Sequence, residues 1–151
     1  MKKLSLLPIY FLISGFLIAQ EQQSFKVSFD HVALSVKNVN VSADFYKEIL
    51  SLEEIVNRGK ADGIRWFSLS DGKELHLISI VEGEITINKA VHFALRVTDF
   101  EALTNRLKKL KMDYSSWSGE KNKITVRADG IKQVYIQDPD GYWIEINSAK
   151  Q

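Results

Sequence analysis

The chain states one pattern twice, and that repetition limits its architecture more than any other feature. His31-Val32-Ala33-Leu34-Ser35-Val36 matches His92-Phe93-Ala94-Leu95-Arg96-Val97, giving His-x-Ala-Leu-x-Val in each half. Asp71-Gly72-Lys73-Glu74-Leu75-His76-Leu77 matches Asp140-Gly141-Tyr142-Trp143-Ile144-Glu145-Ile146. The shared form is Asp-Gly, two residues, an aliphatic, a His or Glu, and an aliphatic. A duplicated sequence specifies a duplicated supersecondary unit, whose apolar face needs a neighbour to cover it.

Within each half the element order follows from local pattern. Phe29 to Val36 alternates with the period of a strand, with Val32, Leu34 and Val36 on one face and His31, Ala33 and Ser35 on the other. Val41 to Leu50 reads as a helix capped by Asn40 or Ser42. Leu52–Asn57, Ile64–Leu69 and Lys73–Ile80 read as strands, the last two joined at Asp71-Gly72, a hairpin signal because Gly accepts positive φ. The second half copies the order. Ala90–Val97 is a strand, and Thr98-x-x-Glu101 reads as a capping box opening a helix with Phe100, Leu103, Leu107 and Leu110 on one face. Strands over Ile124–Ala128, Ile131–Gln137 and Tyr142–Asn147 follow, with Asp138–Gly141 as a turn. The expected fold is α+β: two βαβββ modules, 26–81 and 89–148, forming a cupped, barrel-like mixed sheet with helices outside.

The first residues read differently. Lys2 and Lys3 precede an apolar run from Leu4 to Ala19, followed by polar residues 20–25. That is the form of a secretory signal peptide over 1–19, with Ala19 as the cleavage residue. A spanning helix needs ~20 apolar residues, so membrane contact is expected only through the leader if it stays uncleaved. The expected location is periplasmic or extracellular. With no Cys in the chain, no disulfide can support the fold there. The formal net charge is +1 with Lys and Arg scattered, which argues against a nucleic-acid partner.

The three His of the chain are His31, His76 and His92, and each falls at a repeat-defined position. The fourth such position holds Glu145. Alternation places all four on the strand faces opposite the aliphatic residues that pack against the helices. Singly, each such residue is more often a satisfied core or surface group. Together they form a ligand set for a divalent metal ion, whether Zn, Ni, Co, Mn or Fe, if the open faces of the two modules come together. Three or four such ligands leave room for water or substrate. Trp66 and Ser68 in the first module correspond to Tyr135 and Gln137 in the second, and with Arg96 and Trp143 they share the ligand faces. They are candidate substrate-binding residues, with Arg96 as an anion partner.

These residues resemble the vicinal oxygen chelate superfamily, which includes glyoxalase I, fosfomycin- and bleomycin-resistance proteins, methylmalonyl-CoA epimerase and extradiol dioxygenases. The resemblance runs from about Phe25 to about Ser148. It rests on Phe29-Asp30-His31-Val32-Ala33-Leu34, Ser42-Ala43-Asp44-Phe45-Tyr46, Glu74-Leu75-His76-Leu77, Val91-His92-Phe93-Ala94-Leu95 and Asp138-Pro139-Asp140-Gly141-Tyr142-Trp143-Ile144-Glu145. It implies a metal held by His31, His76, His92 and Glu145 that binds two oxygens of a small-molecule substrate, in a chain that forms a homodimer. Glyoxalase I carries Glu where this chain has His76, which leaves Glu145 as the candidate catalytic base. The resulting expectation is an exported glyoxalase-like lyase or isomerase. The competing expectations are a metal-free ligand-sequestering protein of the bleomycin-resistance type and a small Fe(II) dioxygenase.

Overall fold

Two helices and eight strands follow the duplicated order in a computed structural model that describes residues 26–80, 82–84 and 86–150. The expected leader (1–19) and polar segment (20–25) lie outside the described residues. The first module contains β1 (His31–Ser35), α1 (Val39–Leu50), β2 (Glu54–Ile55), β3 (Ile64–Ser68) and β4 (Glu74–Ile78). The second contains β5 (His92–Arg96), α2 (Phe100–Lys109), β6 (Thr125–Val126), β7 (Lys132–Gln137) and β8 (Trp143–Asn147). Each module forms a four-stranded mixed sheet, β1-β4-β3-β2 and β5-β8-β7-β6, so the sheets are cupped rather than closed into a barrel. In each, the first strand runs parallel to the last, because the helix carries the chain across one face before it returns.

Both helices start at residues other than the expected caps. Asn38, not Asn40 or Ser42, caps α1, its side chain accepting from the amides of Asn40 and Val41. Ser42 is instead fully buried at the module junction. Asp99 caps α2 in place of Thr98, accepting from Ala102 N–H at 2.8 Å. A carboxylate at this position also meets the positive end of the helix dipole. The β3–β4 turn behaves as its sequence demands, with φ of 50° at Asp71 and 70° at Gly72.

The aliphatic halves of the alternating strands form the core. Leu34, Phe67, Leu75 and Leu77 of the first sheet and Val134, Ile136, Ile144 and Ile146 of the second are buried with Ala43, Tyr46, Leu103 and Leu107 of the helices. Burying one such side chain contributes about 1.5–3 kcal/mol, so the repeated Leu-x-Leu and Ile-x-Ile pairs fix which face of each sheet turns inward.

The two modules are joined by polar contacts between α1 and the β7–β8 turn. Asp140 accepts from the Lys37 amide at 2.8 Å and the Ser42 hydroxyl at 2.7 Å. Asp138 accepts from the Tyr46 hydroxyl at 2.9 Å, and the Arg106 guanidinium reaches the Glu48 carbonyl. At the opposite end, Phe29 shares a groove with the β3–β4 turn and with residues 94–98. The end of β1 therefore meets the turn that opens β8, whereas its beginning meets the end of β5. Tyr46→Phe removes a buried hydroxyl from a buried carboxylate and should cost about 1–3 kcal/mol. Urea unfolding of the two proteins measures that difference.

Candidate functional site

Register puts the four ligand-type residues where alternation placed them, but in two pairs. On the first sheet, Ala33 of β1 lies opposite His76 of β4 and His31 lies opposite Glu74. The His31 and His76 rings stack with centroids 4.4 Å apart. On the second sheet, Ala94 of β5 lies opposite Glu145 of β8, and His92 Nε2 stands 3.6 Å from Glu145 Oε2. The sequence leaves open whether one chain or two supply the four, and here they stand as two separate pairs. Among the described residues no three His, Cys, Asp or Glu side chains form a group able to hold a cation. The module junction accounts for this: Phe29, just before β1, shares a groove with residues 94–98 at the end of β5, whereas His92 lies at the beginning of β5.

Hydrogen bonding orients each imidazole and selects the tautomer of its neutral form. His92 Nδ1 lies 2.9 Å from the Lys89 carbonyl. A carbonyl only accepts, so Nδ1 carries a proton, and in the neutral ring the lone pair is on Nε2, on the Glu145 side. His31 Nδ1 donates to Asp30 at 2.7 Å, which leaves its Nε2 free. His76 Nε2 lies 2.8 Å from Glu74 and donates to it, so in the neutral ring Nδ1 is the lone-pair nitrogen. The hydrogen bond from His76, with Arg58 next, holds the Glu74 carboxyl below the usual range.

Glu145 is buried and saturated from the side. Its Oε2 accepts from the Tyr135 hydroxyl at 2.6 Å and its Oε1 from Asn147 at 2.8 Å. Gln133 donates to the Tyr135 oxygen at 3.1 Å, completing a chain across β7 and β8. Burial, reinforced by the bond to Glu145, pushes the Tyr135 hydroxyl well above its ordinary pKa, so it remains a donor. Lys89 lies over the rings of Tyr135 and Trp143 and donates to Ser115 Oγ and to the Ser116 and Trp117 carbonyls. Burial lowers its pKa.

The remaining candidates divide. Trp66 stacks on His76 at 4.1 Å, and its buried Nε1 finds no acceptor among the described residues. Trp143 is the register neighbour of His92, and Tyr135 bonds Glu145 as described. Ser68 and Gln137 are drawn into their own hairpin turns, with Ser68 Oγ accepting from Ser70 N–H and Gln137 donating to the Gly141 carbonyl. Arg96 sits at the far end of β5 from His92, exposed, and reaches the Lys150 carbonyl at 3.3 Å. Glu74, Gln133 and Asn147 were readable but not singled out: each lies two residues from a chosen residue and therefore on the same face. Lys89 and Trp117 stand outside the periodic strands and carry no such signal.

Comparison with known proteins agrees with the fold and the repeat. A family model described as Glyoxalase/Bleomycin resistance protein/Dioxygenase superfamily matches residues 28–146. The uncharacterized protein YwbC of Bacillus subtilis is 28% identical over 122 residues, covering 77% of this chain and 93% of its own. The fosfomycin resistance protein FosX of Listeria innocua is 27% identical over 126 residues, covering 79% and 87%. Among solved structures, the oxidase ChaP-H2 superposes with a TM-score of 0.69 at 23% identity, covering 83% of this chain and 96% of its own.

His92 should be the Nδ1–H tautomer when neutral, because its partner is a carbonyl. Two-bond ¹H–¹⁵N correlation spectra distinguish the tautomers, and an Nε2–H pattern would remove this nitrogen from any ligand set.

Proposed function

Because the chain belongs to the Glyoxalase/Bleomycin resistance protein/Dioxygenase superfamily, we propose that it is a metal-dependent lyase or isomerase whose sites are each completed by a second copy of the chain. His31 and His76 of one subunit would face His92 and Glu145 of the other. The observation that carries this reading is the pairing itself: two half-sets of ligand-type side chains, at matched repeat positions, on open faces that one chain does not bring together. A twofold dimer is the simplest assembly that brings first pair to second pair twice. The orphaned Trp66 Nε1 adds support, since a buried donor on the first half-site lacks an acceptor among the described residues.

The residues fit a divalent cation by donor chemistry. Three imidazoles and one carboxylate suit Zn, Ni, Co, Mn or Fe(II). Each imidazole has one nitrogen held by a carbonyl or carboxylate, which orients the other as second-shell partners of metal ligands do. A bound cation would act there as a Lewis acid, polarising a substrate carbonyl and acidifying the adjacent C–H. Glu145, whose Oε2 accepts from Tyr135, would then take that proton and return it to a neighbouring carbon. The substrate in this reading is a small metabolite with two vicinal oxygens. The similarity to FosX puts fosfomycin in the assay panel beside 2-oxoaldehyde thiol adducts and hydroxyketones.

Complementation between subunits tests the split site. His76→Ala and Glu145→Gln chains should each lose activity and bind little metal as homodimers. Co-refolded in equal amounts, they should recover about a quarter of the wild-type sites, since half the dimers then carry one intact site of two. No recovery, with mixed dimers verified by mass, would place each site within one chain or remove it altogether.

The reading also places the protein outside the cytoplasm, supported by Lys2, Lys3 and the apolar run to Ala19. Expression of the full chain should yield a periplasmic or secreted product beginning near Gln20. Intact Met1 on cytosolic protein would refute export.

A further inference from the structure

The His92–Glu145 half-site has an aromatic wall that the reaction outlined above does not use. Trp117 sets its ring 6.0 Å from His92, at 60°, and 5.6 Å from Tyr135. It belongs to none of the strands, yet its position is fixed. Lys89 donates to Ser115 Oγ, the Ser116 carbonyl and the Trp117 carbonyl, so its three ammonium protons pin the segment that carries the indole. The Trp117 amide donates to Thr125 of β6, and Ser115 pairs with Tyr135 across the edge of the sheet. The residue that orients His92 through its carbonyl thus also positions Trp117 through its side chain.

The other two tryptophans lie differently. Trp66 is covered on one side by His76 at 4.1 Å and approached by the Arg58 guanidinium at 4.6 Å. Trp143 lies beneath the Lys89 ammonium. Trp117 alone of the three is exposed, at 50%. An indole held at one edge by an imidazole and a phenol, with half its surface open, is a platform for an aromatic or flat apolar group.

We propose that Trp117 is a specificity-determining residue, and that the substrate carries an aromatic or flat apolar substituent next to the two oxygens that reach His92 and Glu145. This inference rests on the metal-chelate reading and narrows it to a substrate class. A purely polar three-carbon substrate would leave the platform bare. A ring attached beside the chelating oxygens covers it while the oxygens stay at the His92–Glu145 end. Lys89 is a positioning residue in this scheme, acting through the segment it pins.

Two hydroxamates separate the terms, because both chelate through two vicinal oxygens and differ only in the substituent. Calorimetry on the zinc-loaded full-length protein should show benzohydroxamate binding about tenfold tighter than acetohydroxamate, with quenching of tryptophan fluorescence. Trp117→Ala should bring the two affinities together while leaving acetohydroxamate binding and the melting temperature near wild type. Trp117→Phe, which keeps a ring, should restore most of the preference, and Lys89→Met should weaken it. An equal preference in wild type and Trp117→Ala overturns the proposal and leaves the metal-chelate reading intact. Loss of the dimer in Trp117→Ala without a change in preference assigns the indole to the subunit interface and also overturns it. Failure of both hydroxamates to bind wild-type protein removes the metal-chelate reading itself, and this inference with it.

Discussion

The contact between α1 and the β7–β8 turn governs everything downstream. Asp138 is a buried carboxylate, and burial raises its pKa. It is tolerated because the Tyr46 hydroxyl and the amides of Asp140 and Tyr142 donate to it. Asp140 does the same for the Lys37 amide and the Ser42 hydroxyl. Such contacts are directional, so they set angle and register as well as adhesion. By holding the end of β1 against the start of β8, they send the beginning of β1 to the other end of the junction. The separation of the two ligand-type pairs is a consequence of that single choice.

The two pairs of ligand-type residues are held to different standards of rigidity. Glu145 is 7% exposed, with both oxygens bonded, and His92 is locked through a backbone carbonyl. His31 has a side chain 42% exposed and is oriented by Asp30, itself 87% exposed. An ion pair in that setting is screened by water and contributes little by itself. The firmer anchor on the first sheet is the Trp66–His76–His31 stack, backed by the Arg58–Glu74 pair.

How much of this was legible depends on periodicity. The repeat carried the element order and the sheet faces, because alternation and duplication are one-dimensional signals. It also put Trp66 and Tyr135 on the ligand faces, where the hairpin register sets them opposite His76 and Glu145. Helix starts were missed by a residue or two: Asn38 and Asp99 compete with neighbouring cap formers, and local geometry decides between them. Ser68 and Gln137 shared the right face, yet their short polar groups found partners in the adjacent turns. Lys89 and Trp117 were invisible, because irregular segments acquire their positions only from tertiary contacts.

The relation between modules is the one thing a repeat cannot state. Duplication says that two equivalent faces exist, and the ligand chemistry says that they belong together. Neither says whether the second face comes from the same chain. That information resides in residues where the repeat is broken. Asp138 corresponds to Leu69, and Tyr46 corresponds to Leu107, so the hydrogen bond that fixes the junction has an apolar counterpart in the other half. Leu107 is fully buried and Leu69 packs against the core, so these positions contribute burial without direction. One directional junction and one adaptable junction suffice to define a single arrangement of the modules. The positions at which the two halves differ therefore decide how the positions they share are used.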